Sequence, residues 1–286
     1  MTAALLLLSI ILTGNLKTTF IMKEYTKRSE RGIFLFNALS QLFGAVFFIA
    51  ISLKEFVFSA DYLIYSVCFA ILYLCSDVFY ILSVATGSLF LSSLLLSYSL
   101  VLPAGYGIIF LGEPITLTMI IALALLAVSV FLTNFEKRGE NKKITPKWIL
   151  FITLAFLSTG LLSVIQKMQQ IKFDGAYKNE FMTVALLISS MISFIIAFIT
   201  QRDTIKKNLK IALPLSIASG VSNGAMNLMV MILTATMAAS IMFPSITAGG
   251  IVFSFLVALL IYKEKQSIMQ CAGAVVGIAA IILFNI

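Results

Sequence analysis

The sequence contains one apolar hairpin twice, and this duplication restricts the fold more than any other feature. The first copy lies around residues 78–111, and the second keeps its residue classes at low identity. The offset is constant, at 151 residues, and pairs Leu82 with Leu233, Glu113 with Glu264, Thr116 with Ser267 and Asn134 with Asn285. An internal repeat of this kind determines the architecture of the whole chain, within which local patterns are then interpreted. Each half therefore contains a hairpin, a glutamate and one further apolar helix.

The composition indicates that the solvent for this chain is a lipid bilayer. Apolar residues make up 60% of it and charged residues 11%, with a mean hydropathy of +1.07. Soluble domains carry about 25% charged residues. At about 20 residues per membrane span, the 286 residues predict roughly ten spans. We therefore expect an all-α integral membrane protein.

Apolar runs bounded by charges or turn residues define ten predicted transmembrane helices. They are Thr2–Met22, Gly32–Leu53, Tyr62–Ala85, Leu89–Leu111, Ile115–Asn134, Trp148–Gln166, Phe181–Gln201, two spans within the uncharged run Ile211–Tyr262, and Ser267–Ile286. Thr116 is placed to cap the fifth span. The start of the chain, Ala3-Ala4-Leu5-Leu6, has no basic leader or A-x-A site, which predicts a retained span and not a cleaved signal peptide.

The two halves are predicted to be inverted relative to each other. We expect a first five-helix repeat at 1–134, a polar linker at 135–147 and a second five-helix repeat at 148–286. Because five crossings are an odd number, the second repeat enters the membrane from the opposite side. Inverted repeats of this kind are typical of secondary transporters, whose substrate site lies between the repeats near the midplane.

The net charge of +8 comes from short loops, where it predicts orientation and contact with anionic lipid and not with nucleic acid. By the positive-inside rule, both termini should face outward. The basic residues of one side are Lys23, Lys27, Arg28, Arg31, Lys137, Arg138, Lys142, Lys143, Lys147, Arg202, Lys206, Lys207, Lys210, Lys263 and Lys265, against Lys54, Lys167, Lys172 and Lys178 on the other.

Four features of the sequence occur together: the duplicated hairpin, the turn Gly112-Glu113-Pro114-Ile115-Thr116, its partner Lys263-Glu264-Lys265-Gln266-Ser267, and the pair Gly273 and Gly277. With this combination the chain resembles the EamA-type branch of the drug/metabolite transporter superfamily. The resemblance covers nearly the whole chain. It departs from the family pattern in the fifth span, which has Ala122 and Leu126 where the tenth has the two glycines.

The resemblance implies two five-span repeats in the cell membrane and the export or exchange of small metabolites, amino acids or drugs, with neither a cofactor nor ATP hydrolysis. Members of the family are usually described with both termini in the cytoplasm, whereas the loop charges place them outside. The orientation stays open between these alternatives.

Lys17 and Asp77 are the two charges clearly inside predicted spans, where ionisable groups are costly to bury and indicate function. Both lie about four residues past the centres of helices that run in the same direction, so they could pair. One interpretation is an ion-coupling site in which Asp77 binds a proton or cation and Lys17 tunes it. The other is a structural ion pair, or side chains that reach toward headgroups.

Polar side chains in several spans are candidates for substrate binding, because amides and phenols in hydrocarbon need partners. Those partners are either neighbouring helices or a polar solute. The candidates are Asn15, Gln41, Asp77, Tyr98, Asn223 and Asn227, with Tyr106 and the segments 97–99 and 245–247 as further members.

Three other features have structural interpretations. Gly273 and Gly277 allow close helix approach, either within the chain or in a homodimer. Glu113 and Glu264 stand before helix starts, where a carboxylate favours the positive helix end. Trp148 at the start of span six is typical of a headgroup anchor.

Two classes of function remain for a chain of this kind, and a third is set aside. The first is a secondary transporter of small organic molecules, coupled to protons or to a counter-substrate. The alternative is a lipid-carrier flippase, or an accessory membrane subunit without a solute cavity. A membrane enzyme is not expected, since the sequence has no histidine and one buried acid, and its three cysteines offer no metal-ligand spacing.

Overall fold

The computed structural model of the protein describes residues 3–29, 32–52, 56–87, 89–134, 145–261, 263 and 267–284, and all regular structure in them is helical. The helices are α1 (Ala3–Asn15), α2 (Lys23–Arg28), α3 (Ile33–Ser52), α4 (Leu63–Thr86), α5 (Leu89–Ser97), α6 (Val101–Leu111), α7 (Leu117–Asn134), α8 (Pro146–Lys172), α9 (Lys178–Thr200), α10 (Ile205–Thr236), α11 (Ala239–Leu260) and α12 (Ile268–Phe284). A π-helix, Leu16–Met22, joins α1 to α2, and a short 3-10 segment, Tyr98–Leu100, joins α5 to α6.

The chain is a multi-pass membrane protein. Seven helical stretches in the described residues are long and apolar enough to cross a bilayer: Ile33–Ser52, Leu63–Thr86, Leu94–Leu111, Pro146–Lys172, Lys178–Thr200, Ile205–Thr236 and Ala239–Val257. Three shorter apolar helices, Ala3–Gly14, Leu117–Thr133 and Ile268–Phe284, lie where the first, fifth and tenth spans are predicted. The all-helical membrane class is therefore confirmed, while the count of ten spans stays a prediction.

Two predicted loop boundaries differ from the structure. The expected loop after Met22 begins with α2, so helical structure continues into the charged segment. Helix α8 runs past the predicted end at Gln166 to Lys172, and the side chain of Lys167 is only 6% exposed. Lys167 is thus a buried helical residue and not a loop charge.

The N-terminal ends of α7 and α12 have the same cap, at the offset of 151 residues found in the sequence. Thr116 Oγ1 accepts from the backbone N–H of Met119 at 3.2 Å, so this residue caps α7 as predicted. Ser267 Oγ accepts from the N–H of Gln270, also at 3.2 Å, and caps α12. Matched residues therefore have matched hydrogen bonds.

The turns before these two helices also correspond. Gly112 has φ +66° and its counterpart Lys263 has φ +51°, both in the left-handed region. That conformation costs glycine little but costs a side chain such as that of lysine roughly 1–2 kcal/mol. The second copy therefore keeps the backbone turn without the residue type that suits it.

Contacts divide the chain into two compact units, and each unit draws on both halves of the sequence. The first unit comprises Met1–Leu74 and Met168–Ala235, and the second comprises Cys75–Lys167 and Thr236–Ile286. The boundaries of these units differ from those of the two predicted five-helix repeats. Of the predicted linker at 135–147, residues 135–144 lie outside the described part of the chain.

In the first unit, α3 packs along α9, and α10 packs against α3 through small residues. A Cβ added at Gly220 would lie 2.6 Å from the carbonyl oxygen of Ser40, so the absent side chain is what allows this approach. Ser190 Oγ and Ser216 Oγ donate to the backbone oxygens of Ala38 and Phe36 across these contacts.

In the second unit, α7 packs along α12, its counterpart in the repeat, and α11 packs against α12. A Cβ at Gly273 would lie 2.7 Å from the backbone nitrogen of Thr133, and one at Gly277 would lie 2.7 Å from Ser129 Oγ. Ser129 Oγ donates to Gly273 O at 2.7 Å. The glycine pair therefore serves internal packing, the first of the two interpretations of the sequence.

Candidate functional site

The first unit contains a group of polar side chains around Lys17, which we call the Lys17 cluster: Lys17, Tyr73, Asn223 and Asn227. Lys17 Nζ donates to Tyr73 Oη at 3.0 Å and to Asn223 Oδ1 at 3.1 Å. Tyr73 and Asn223 both lie within about three residues of the midpoints of α4 and α10. The cluster therefore joins a cation, a phenol and an amide near the middle of two spans.

Asn227 extends the cluster by one helical turn. Its Nδ2 donates to Asn223 O at 2.9 Å and to Asn223 Oδ1 at 3.3 Å. The side chains of both asparagines are buried, at 1% and 5% exposure. Because Asn223 Oδ1 accepts from two donors, the amide orientation is set by the hydrogen bonds of its neighbours.

Local helix geometry places Lys17 in the cluster. The residue lies in the π-helix Leu16–Met22, a form that is rare and often occurs at functional sites. Helix α1 is held to α10 just before this segment, since Ser222 Oγ donates to Thr13 O at 2.7 Å. Lys17 thereby lies within reach of Asn223, one residue after Ser222.

A second set of buried polar groups lies where α3 packs with α9 and α10 in the first unit. Ser193 Oγ donates to Gln41 Oε1 at 3.3 Å, and Gln41 is 2% exposed. Four side-chain atoms of this seam have no hydrogen-bond partner among the described residues: Ser40 Oγ, Gln41 Nε2, Ser189 Oγ and Ser219 Oγ. Buried polar atoms without partners cost about 1–3 kcal/mol each, so such a seam is unusual in a purely structural interface.

The other predicted site residues belong neither to the described part of the Lys17 cluster nor to the polar seam. Asn15 is the last residue of α1, and its side chain lies outside the described part of the chain. Asp77 lies half-buried in α4, four residues after Tyr73. Tyr98 Oη donates to the backbone oxygen of Ala127 at 2.8 Å, which is a helix-to-helix bond, and Tyr106 stacks on Phe110. The pairing of Lys17 with Asp77 stays a prediction.

The structure adds residues that the sequence analysis did not connect. The sequence does not single out Tyr73, although it is a tyrosine near the centre of a span and one turn before the half-buried Asp77. Glu113 does not cap the helix that follows it: Oε1 and Oε2 accept from the N–H groups of Ala239 and Ser240 at 2.7 and 2.8 Å, at the start of α11. Lys167 Nζ donates to Met237 O at 2.7 Å in the same turn. Glu264 lies outside the described residues.

The indole of Trp148 is buried inside the second unit. Its side chain is 5% exposed, and Nε1 donates to Ser92 Oγ at 3.0 Å. A Cβ at Gly87 would lie 2.0 Å from the indole, so the glycine of the hairpin turn makes room for it. The predicted interfacial anchor is therefore a packing residue of the second unit.

Within the described residues, no group of three or more His, Cys, Asp or Glu side chains is placed to hold a metal ion. The three cysteines are free, and Cys271 is exposed on α12.

No protein-family model and no curated protein sequence matches this chain. Among solved structures, 27 chains are similar in fold. One of them, a crystal structure of a protein, aligns with a TM-score of 0.78 over 99% of this chain and 98% of its own, at 13% sequence identity. At that identity the likeness shows the fold alone.

Proposed function

We propose that this protein is a secondary active transporter of small organic molecules, such as metabolites, amino acids or drugs, that works by alternating access in the cell membrane. The observation that carries the proposal is the Lys17 cluster, to which the π-helix Leu16–Met22 and α4 of the first sequence half and α10 of the second contribute. Sites formed by both repeats near the centre of spans are characteristic of transporters built from inverted repeats.

The matched ends of α7 and α12 support the duplication on which this proposal depends. Their caps and left-handed turns correspond at the offset of 151 residues. The proposed arrangement is ten spans in two inverted five-helix repeats, as in the EamA-type branch of the drug/metabolite transporter superfamily.

The polar seam of α3, α9 and α10 supports movement and not only binding. Hydroxyl and amide groups that lack partners in one conformation gain them from water or solute in another. We propose that Ser40, Gln41, Ser189 and Ser219 become hydrated when the substrate path opens.

Energy coupling is assigned to Asp77 and Lys17. A carboxylate within a membrane span loses its charge when it binds a proton and is neutralised when it binds a cation, and such residues mark ion pathways and proton relays in transporters. Asp77→Asn should therefore abolish the pH dependence of transport. Unchanged pH dependence in this variant would refute proton coupling through Asp77.

The test of the transport function uses purified protein in lipid vesicles with a panel of labelled amino acids, organic acids, amines and cationic drugs. Lys17→Met and Asn223→Leu should each lower transport about tenfold or more, since each removes a hydrogen bond to a charged group. Ser66→Ala is the control, because it removes a buried hydrogen bond to Phe181 O in the same unit, outside both the cluster and the polar seam. If no member of the panel enters faster than it enters empty vesicles, the proposal is wrong.

A further inference from the structure

The first unit carries an open apolar groove between the end of α9 and the start of α10. Its volume is about 550 Å³, and it is lined by Leu35, Phe194, Ile195, Ala197, Phe198, Ile199, Ile205 and Leu209. Concave sites of about 300–1,000 Å³ are typical for small-molecule ligands. None of these residues belongs to the Lys17 cluster.

The walls of the groove face outward and its floor is part of the core. Ile195, Phe198 and Ile199 are 57%, 60% and 74% exposed, whereas Leu35 and Ala197 are buried. The lining residues of α9 lie within two helical turns of the connection at 201–204. Its position is therefore just inside the end of the membrane span, where the first part of an acyl chain lies.

Basic residues lie in the connection and the first turns of α10 at this end of the groove. Arg202 lies over Phe198, with 5.5 Å between the guanidinium carbon and the ring centroid. Lys206, Lys207 and Lys210 are exposed on the first turns of α10, and Asp203 is the acidic residue of the segment 201–210. Lys206 and Lys210 directly follow the lining residues Ile205 and Leu209, so their long side chains can extend along the rim.

We infer that this groove is a binding site for one anionic phospholipid, with an acyl chain in the apolar part and the phosphate at the basic rim. Apolar contact alone would accept any lipid, and the rim supplies the preference for negative charge. Arginine over an aromatic ring is a suitable phosphate ligand because its planar fork donates two parallel hydrogen bonds.

The basic rim also argues against a second copy of the chain as the occupant. Two copies in the same membrane orientation that met through this groove would bring their basic rims together at the same depth. Like charges at short range in a poorly solvated region repel each other. An anionic headgroup instead neutralises the rim.

The experiment measures lipid binding to the purified full-length protein in neutral detergent. Phosphatidylglycerol and phosphatidylcholine with identical acyl chains are titrated, and bound lipid is counted by native mass spectrometry. We expect a preference for phosphatidylglycerol. Each basic residue at a membrane surface contributes about fivefold, so the double variant Arg202→Gln, Lys206→Gln should reduce the preference by up to roughly 25-fold.

Three further variants complete the test, two for the apolar part and one for the charge. Ile199→Trp fills the groove and should reduce the occupancy of both lipids. Met191→Trp is the matched control, because Met191 is 65% exposed on the same helix and does not line the groove. Lys263→Gln is the control for the loss of an exposed positive charge elsewhere.

The outcomes separate clearly. Loss of the preference in the charge variant together with reduced occupancy in Ile199→Trp supports the site. Equal binding of the two lipids by the wild type would overturn the proposal, as would retention of the preference in the double variant. A dimer that dissociates in Ile199→Trp, with the lipid preference unchanged, would assign the groove to a second copy and overturn it as well.

Discussion

The contact between Glu113 and the start of α11 allows a quantitative prediction. Both carboxylate oxygens accept backbone hydrogen bonds, from Ala239 at 2.7 Å and Ser240 at 2.8 Å. A glutamine at this position keeps one acceptor oxygen but presents an NH₂ group to the second N–H. Glu113→Gln therefore removes one charge-assisted bond and leaves a backbone donor without its partner.

The expected cost follows from these losses. A hydrogen bond to a charged group contributes about 1.5–3 kcal/mol, and a carboxylate near a helix N-terminus adds about 0.3–1 kcal/mol. We expect Glu113→Gln to lower the free energy of unfolding by about 2–3 kcal/mol. Glu24→Gln is the matched control, since it breaks an exposed i, i+4 ion pair with Arg28 and should cost about 0.5 kcal/mol or less.

The assay is equilibrium unfolding of the purified protein in mixed detergent micelles, followed by circular dichroism. Lys167→Met provides a second measurement, because Lys167 donates to Met237 O in the turn that Glu113 holds. If the two residues stabilise one turn, the double variant should lose less than the sum of the single losses. A Glu113→Gln variant no less stable than Glu24→Gln would show that the cap contributes nothing measurable and would refute this reasoning.

Three further predictions concern packing and pH. Gly273→Ala should destabilise the protein by about 1–3 kcal/mol, because the added carbon meets the backbone of α7. Gly105→Ala is the control, since no atom lies within 4 Å of the new carbon, and it should be neutral or stabilising in the same unfolding assay. Trp148→Phe should cost about 1–2 kcal/mol through the lost bond to Ser92, and equal stability of this variant and the wild type would contradict the burial argument. Burial raises the pKa of Tyr25 from its ordinary value of 10.0, against a smaller opposing effect of Ser29, so the folded state favours the neutral phenol. That stabilisation is present below pH 10.0 and is lost as the pH rises through the higher pKa of the folded state. Phenylalanine has no proton to lose, so between pH 10.0 and about pH 12 the free energy of unfolding of Tyr25→Phe should fall less than that of the wild type.

Much of the helical architecture could be predicted from the sequence. The thickness of the hydrocarbon core sets the number of apolar residues in a span, and turn and cap residues mark where a helix begins. The offset of 151 residues correctly aligned the starts of α7 and α12, and Thr116 was correctly identified as a cap. The start of each helix is set by residues within a few positions of it, as the caps Thr116 and Ser267 show. The predicted end of α8 is wrong because a charge such as that of Lys167 indicates a loop, whereas its long side chain reaches a backbone oxygen inside the protein.

The partners of polar side chains could not be predicted from the sequence. Asn223 was a candidate, but its bond to Lys17 joins residues more than 200 positions apart. Glu113 was expected to act on the next helix, and its acceptor atoms instead bond to α11, 126 and 127 positions away. Local spacing indicates that a buried polar group needs a partner, and only the packing of distant helices determines which one it has.

The pairing of α7 with α12 has a consequence for the two halves of the gene. Helix α7 is the last helix of the first half, α12 is the last helix of the second, and the two pack along each other. If the polypeptide is cut at the linker, each half therefore lacks the surface that its last helix contacts. Co-expression of the separated halves should restore that surface. The half that ends with Asn134 would otherwise present Ser129 and Thr133 to lipid, and degradation of this fragment when expressed alone is the expected result.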